Sequence, residues 1–243
     1  MKELKVVVVL RMKIPSLPPS LRCLANLQTL SLSDCNLSHT DLSVIGGLMN
    51  LEILSFTGSK IKKLPREISN LTRLKLLDLL RCTKTRIPQG VLASLSKLEE
   101  LYLGKSFTRW DVVEEGKDLP TNACIIELAS LPNLVALDIK VPKIECWVWP
   151  RDVVLVGKIR AFDISLGCIY GYEVPCQCFL PSTNQLVLQS LDISRGVMEI
   201  RELNMLLKVN TELHLVNCLD CLINTSNDQL EKEAFCALEI LYL

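Results

Sequence analysis

Residues 51–82 read LEILSFTGSKIKKLPREISNLTRLKLLDLLRC, and this stretch decides the fold. The pattern LxxLxL occurs twice in it, first as Leu51, Leu54 and Phe56, then as Leu74, Leu77 and Leu79. Side chains alternate across a strand, so the last two apolar residues of each copy share one face of a short strand. Leu64-Pro65 falls between the copies. Proline donates no backbone hydrogen bond, which suits an irregular return segment rather than a second ladder. Strand, proline descent and strand again make one turn of a coil.

The pattern extends in both directions. Leu27, Leu30 and Leu32 precede it, and Leu4, Val7 and Val9 form a weaker first copy. Leu98, Leu101 and Leu103 follow, then Leu134, Leu137 and Ile139. The first five copies start at residues 4, 27, 51, 74 and 98, at intervals of 23, 24, 23 and 24. That period and pattern are those of a leucine-rich repeat. Leu17-Pro18 and Ile87-Pro88 repeat the descent. Leu21 with Leu24, Ile68 with Leu71, and Val91 with Leu95 supply the apolar residues that close each coil. A single coil cannot bury its apolar face, so stacked coils form one continuous core. The composition agrees: 47 of 243 residues are Leu and only 5% are aromatic, as a core of many equivalent aliphatic positions requires. Cys35, Ser59 and Cys82 each stand eight residues after their copy's first Leu. A small polar or thiol side chain there is expected to bond the neighbouring turn or fill a narrow corner.

The predicted fold class is α/β: a leucine-rich-repeat solenoid, a curved horseshoe with one parallel β-sheet on its concave face. Irregular and short helical segments should line the convex side, with about nine repeats in all. Residues 1–103 read as regular repeats and 104–123 as an inserted loop. Residues 124–243 read as irregular repeats of the same solenoid, truncated at the C-terminus. Among these, starts are placed at Ile159 (IRAFDI) and Leu188 (LQSLDI). Glu212 to Leu215 and the set Leu238, Leu241 and Leu243 are clearer strands, and Leu203 to Leu207 reads as a helical turn. The stretch 168–184 has no clean period.

Composition and motifs exclude several classes of function. Lys and Arg number 27, as do Asp and Glu, so net charge makes no case for nucleic-acid binding. No run of about 18 apolar residues is present for a membrane span. Val6 to Leu10 is too short and too flanked by charge for a secretory leader. The 11 cysteines are odd in number and dispersed, which fits a reducing compartment rather than a disulfide framework. A cytoplasmic location is therefore expected. Cys218 with Cys221 and Cys176 with Cys178 are spaced for a metal or a dithiol, but no second pair with histidines stands at zinc spacing. The only histidines, His39 and His214, have no nucleophile at a motif spacing, and Glu99-Glu100 and Glu114-Glu115 read as solvated surface. No catalytic residue and no cofactor are assigned, and the chain is not expected to be an enzyme.

The block LANLQTLSLSDCNL, the stretch quoted above with the following TKTRIP, and LSKLEELYLGKSFTRWDVVEEG together resemble a known family. They look like the leucine-rich-repeat region of plant intracellular nucleotide-binding immune receptors of the coiled-coil type. The LP descent and the insertion bearing Ser106, Phe107 and Trp110 after LEELY carry the likeness, which is strong over residues 1–140. The resemblance implies a protein-recognition and autoinhibitory role in disease resistance. It implies two protein partners: the receptor's own nucleotide-binding module, and a pathogen effector or guarded host protein. That module's GxxxxGK[ST] phosphate loop is absent from this sequence, so nucleotide binding is not carried over. The chain opens in a repeat and stops on a strand, which reads as a receptor fragment. A stand-alone adaptor or decoy that binds proteins is the alternative. An extracellular repeat receptor is the other rival; sequons stand at Asn36, Asn70 and Asn224, but the LxGxIP pattern of that class is missing.

Three surfaces are candidates for recognition. The concave face is expected to present Gln28, Ser31, Ser33, Glu52, Ser55, Thr57, Lys75, Asp78, Glu100, Tyr102 and Asp138. Phe107 and Trp110 on the insertion are candidate aromatic anchors, or else pack against the convex side. The third is a basic ridge. Through residue 110 there are 17 basic and 8 acidic residues, and from 111 onward 10 and 19. Arg81 recurs with Arg11, Lys60 with Lys13 and Lys63 with Arg86 at the same repeat positions, and stacking turns these columns into a ridge beside the sheet that Lys62, Arg66 and Lys84 join. That ridge is either a solvated face or a docking surface for an acidic partner. Nucleic acid is not expected there, because no aromatic residues are interleaved for base stacking.

Overall fold

The structure is a computed structural model. It describes residues 3–82, 85–104, 106–112, 121–149, 158–167, 184–189, 201–216 and 240–242. The chain divides into two units, Met1–Leu134 and Val135–Leu243.

In the first unit the strands are β1 (Val6–Leu10), β2 (Thr29–Ser33), β3 (Ile53–Ser55), β4 (Leu76–Asp78) and β5 (Glu100–Gly104). All pair in parallel and in chain order. The register follows the repeat: Val7 stands opposite Leu30, Leu30 opposite Leu54, Leu54 opposite Leu77, and Leu77 opposite Leu101. From β2 to β5 these leucines are at most 1% exposed. The first Leu of each copy turns the chain into its strand by one recurring bond. Leu27, Leu51, Leu74 and Leu98 each donate N–H to the carbonyl of the Leu three residues earlier, at 2.8–3.0 Å.

The return segments carry short 3-10 helices. Pro18 and Pro65 sit in extended backbone and lead into Pro19–Cys23 and Arg66–Asn70, and Ser43–Gly47 and Ile125–Ser130 occupy the same place in their coils. Each proline caps its helix, where its missing donor costs no intrahelical bond. Neighbouring coils stack closely on this side. A Cβ added to Gly46 would lie 2.4 Å from the Glu67 carbonyl oxygen.

The corner behind the strands is held by the small residues singled out above. Ser59 Oγ accepts from the Cys35 N–H at 2.7 Å and donates to the Leu32 carbonyl at 2.5 Å. Cys82 donates its thiol to the Phe56 carbonyl at 3.0 Å, and Cys35 to that of Val9 at 3.6 Å. Both roles expected for the position, bonding and filling, are observed. Each of these side chains joins its own coil to the preceding one.

The second unit contains β6 (Ala136–Val141), β7 (Ala161–Leu166), β8 (Gln185–Gln189), β9 (Glu212–Val216) and β10 (Ile240–Tyr242), again parallel and in chain order. Helix α1, Arg201–Val209, precedes β9 and buries Leu206 and Leu207. It confirms and lengthens the predicted helical turn. One start is corrected. The sequence places a repeat at Leu188, whereas the strand begins at Gln185 and its inward residues are Leu186 and Leu188. Two LxL pairs lie close together here, and pairing of Leu186 with Ile164 and of Leu188 with Leu166 selects the earlier one. The CxC and CxxC cysteines lie outside the described residues.

Candidate recognition surfaces

Strand parity fixes the solvent face of the first unit's sheet. One row runs Val6, Thr29, Ile53, Leu76, Glu100, and the next runs Val8, Ser31, Ser55, Asp78, Tyr102. Leu10 and Ser33 begin a third. Ser31, Ser33, Ser55, Thr57, Asp78 and Glu100 are half-buried there. They are bonded to one another. Asp78 accepts the hydroxyl of Ser55 at 2.8 Å and that of Thr57, and its other oxygen accepts the Leu80 N–H at 2.8 Å. Ser31 and Ser33 share a hydrogen bond of 2.8 Å, and the buried Tyr102 donates to Glu100 at 2.5 Å. The hydroxyls converge on carboxylates, so this patch presents mainly acceptors to a visitor.

Three expected members stand elsewhere. Gln28, Glu52 and Lys75 precede their strands and lie at the strand-entry edge, because parity gives the sheet face to the residue after each of them. There Lys75 and Glu52 form an ion pair of 2.9 Å. The hydrogen bond, and then the opposite charge, hold the Glu52 carboxyl below its ordinary range and the Lys75 ammonium above it. The residues actually on the face, Thr29, Ile53 and Leu76, were missed, as were Val6, Val8 and Leu10. Strict alternation counted from the buried leucines would have found them.

Asp138 belongs to the second unit, half-buried on β6 opposite Asp163 of β7. At β8 and β9 the corresponding face is buried. Val187 on β8 and His214 on β9 are register partners, 1% and 2% exposed. His214 Nε2 lies 2.7 Å from a Glu212 oxygen and 3.1 Å from Gln185 Nε2.

Phe107 and Trp110 are corrected as candidate anchors. They are 0% and 6% exposed and pack edge to face with ring centroids 4.7 Å apart, so packing, the other reading, is what is observed. Asp111 then closes the neck of the insertion. Its carboxylate accepts the N–H groups of Thr121 and Asn122, both at 2.8 Å, and its own N–H donates to Ala123. Burial raises this carboxyl, and the bonds from Asn122 and Thr121 outweigh it, leaving the group below its ordinary range.

Part of the expected basic ridge is aligned beside the sheet. Short parallel bridges align Lys13 with Asn36 and Asn36 with Lys60, and align Lys63 with Arg86. Lys60, Lys62, Lys63, Arg66, Arg81 and Arg86 are all exposed, while Lys84 lies outside the described residues. Arg81 differs from the rest. It shares a left-handed column with Arg11, Asp34 and Gly58, and both arginines stand 3.9 Å from the Asp34 carboxylate. Gly58 makes this possible, since a Cβ there would sit 2.1 Å from Asp34 Oδ1. Lys13, Lys60, Lys62, Lys63, Arg66 and Arg86 form no ion pair among the described residues.

Among the described residues no helix is long and apolar enough to cross a membrane. No curated protein matches the chain. Among solved structures, an internalin of Listeria monocytogenes superposes with a TM-score of 0.52 at 18% identity, covering 100% of this chain and 67% of that one. At that identity the likeness concerns the fold. The family described as "Leucine-rich repeat region" matches residues 3–139, more than half of the chain. A parallel sheet in repeat register, leucines buried at one recurring position and this match agree: the chain belongs to the leucine-rich-repeat family and carries a protein-interaction region of that type.

Proposed function

We propose that this chain is the protein-recognition and autoinhibitory region of a plant-type intracellular immune receptor. In this reading the basic ridge docks on an acidic surface of the receptor's nucleotide-binding module and restrains it. The hydroxyl and carboxylate face of β2 to β5 receives a pathogen effector or guarded host protein. The observation that carries the reading is the ridge: aligned, exposed cations without carboxylate partners among the described residues. Stacked like charges repel, and an acidic partner relieves that repulsion while setting orientation. The resemblance of residues 1–140 to such receptors supports the same assignment.

The test is charge reversal at Lys60, Lys62, Lys63, Arg66 and Arg86 in a full-length receptor carrying this region. Expected results are loss of co-purification with the nucleotide-binding module and raised resting activity. Unchanged binding and unchanged resting activity overturn the autoinhibitory reading. A native protein of only 27 kDa on an immunoblot of source tissue supports a free adaptor instead.

A further inference from the structure

The sheet face of β3 to β5 sets an aliphatic pair beside two carboxylates. Ile53 and Leu76 are register partners in one row, Glu100 continues that row on β5, and Asp78 stands two residues after Leu76 in the next row. Ile53 is 37% exposed and Leu76 half-buried, so both meet solvent. Apolar area of this kind favours a partner that takes it out of water.

The two carboxylates are oriented but not neutralised. Asp78 accepts the Ser55 and Thr57 hydroxyls on one oxygen and the Leu80 N–H on the other, and Glu100 accepts the Tyr102 hydroxyl on Oε2. All these donors are uncharged, so they fix the direction of the negative charge without cancelling it. Neither carboxylate joins an ion pair among the described residues, and Lys75 is committed to Glu52 at the strand-entry edge. A carboxylate offers about four acceptor positions, so each group still has places for a donor. Leu76 and Asp78 stand about 6.6 Å apart along β4, the interval at which any extended chain presents its same-side residues.

We infer that this face recognises an extended segment of a partner protein that carries an aliphatic and a basic residue two positions apart. The aliphatic side chain seats on Ile53 and Leu76, and the ammonium or guanidinium bonds Asp78 and Glu100. The inference rests on the reading of β2 to β5 as the recognition surface and adds the chemistry of its partner. Charge-assisted bonds to acids already held in place require little rearrangement, and an acidic segment meets like charge. The chain's own basic ridge does not supply such a segment to a second copy: Ile61 and Leu64, which flank Lys62 and Lys63, are 2% and 0% exposed.

The experiment uses the whole chain and a labelled nine-residue peptide with Ser at the odd positions and Leu, Lys, Leu, Lys at the even ones. One comparison peptide has Glu for Lys, and another has Ala for Leu. Anisotropy measures affinity, and methyl NMR of Ile53 and Leu76 locates binding. Expected are saturable binding of the Leu-Lys peptide with shifts at both residues, and at least about tenfold weaker binding of the two comparisons. Added salt should weaken the Leu-Lys complex. The double variant Asp78→Asn with Glu100→Lys should bind the Glu peptide more tightly than the parent does, a gain that a damaged fold cannot give. Equal or tighter binding of the Glu peptide to the parent, at the same methyl groups, overturns the inference and leaves the face a recognition surface. Equal binding of the Ala peptide does the same. Binding of no peptide at Ile53 and Leu76 overturns both readings. Self-association that shifts the same methyl groups makes a second copy the occupant and overturns the inference as well.

Discussion

Replacing Ser59 by Ala tests how the coils are joined. The Ser59 hydroxyl is fully buried, accepts the Cys35 N–H at 2.7 Å and donates to the Leu32 carbonyl at 2.5 Å. Ser59→Ala removes both bonds and leaves a buried N–H facing a methyl group. An unsatisfied buried donor costs about 1–3 kcal/mol, and the carbonyl loses a further bond of about 1 kcal/mol. The expected loss is about 2–4 kcal/mol. With a urea slope of ~3 kcal/mol per M, the unfolding midpoint falls by roughly 1 M. Amide exchange at Cys35 should accelerate first, since that donor is the one stranded. Ser59→Cys should cost less than about 1 kcal/mol, because the same position already holds Cys35 and Cys82 bonded in the same way. If Ser59→Ala shifts the midpoint no more than Ser59→Cys and leaves Cys35 exchange unchanged, the inter-coil bond is not what holds this corner.

Gly58→Ala should destabilise by about 1–3 kcal/mol, since φ is +72° and the new Cβ meets Asp34; adding Asp34→Ala should recover part of the loss in a double-mutant cycle. The Asp111 carboxyl is lowered on folding, so its contribution is fully present above its unfolded pKa and is lost as pH falls through the folded value. Asp111→Asn should therefore be less stable than the parent at neutral pH, and the gap should begin to narrow only as pH falls below about 4 in parallel urea melts. Burial pushes the Cys82 thiol up to about 12, with a backbone bond from Ser59 opposing it. At pH 8 iodoacetamide should label the exposed Cys23 and spare Cys82 until urea unfolds the chain; labelling of both in the folded protein would contradict this burial.

The sequence by itself determined the coil. A leucine every 23 or 24 residues can satisfy its burial only by stacking, so the parallel sheet, the buried faces of β2 to β5 and the role of the position held by Cys35, Ser59 and Cys82 were all legible. Periodicity carries that information because each repeat meets the same neighbours in the same register. The tertiary structure decided what periodicity does not encode. It placed Gln28, Glu52 and Lys75 at the strand-entry edge, because each strand begins one residue later and parity gives the sheet face to that next residue. It buried Phe107 and Trp110, whose rings pack edge to face. It chose Gln185 over Leu188, because pairing with β7 outweighs a local LxL match. It brought Asp34 between Arg11 and Arg81, a contact spanning 47 residues from Asp34 to Arg81 that depends on Gly58 having no side chain. These outcomes depend on which side chains from different coils meet, and that is settled only when the coils are stacked.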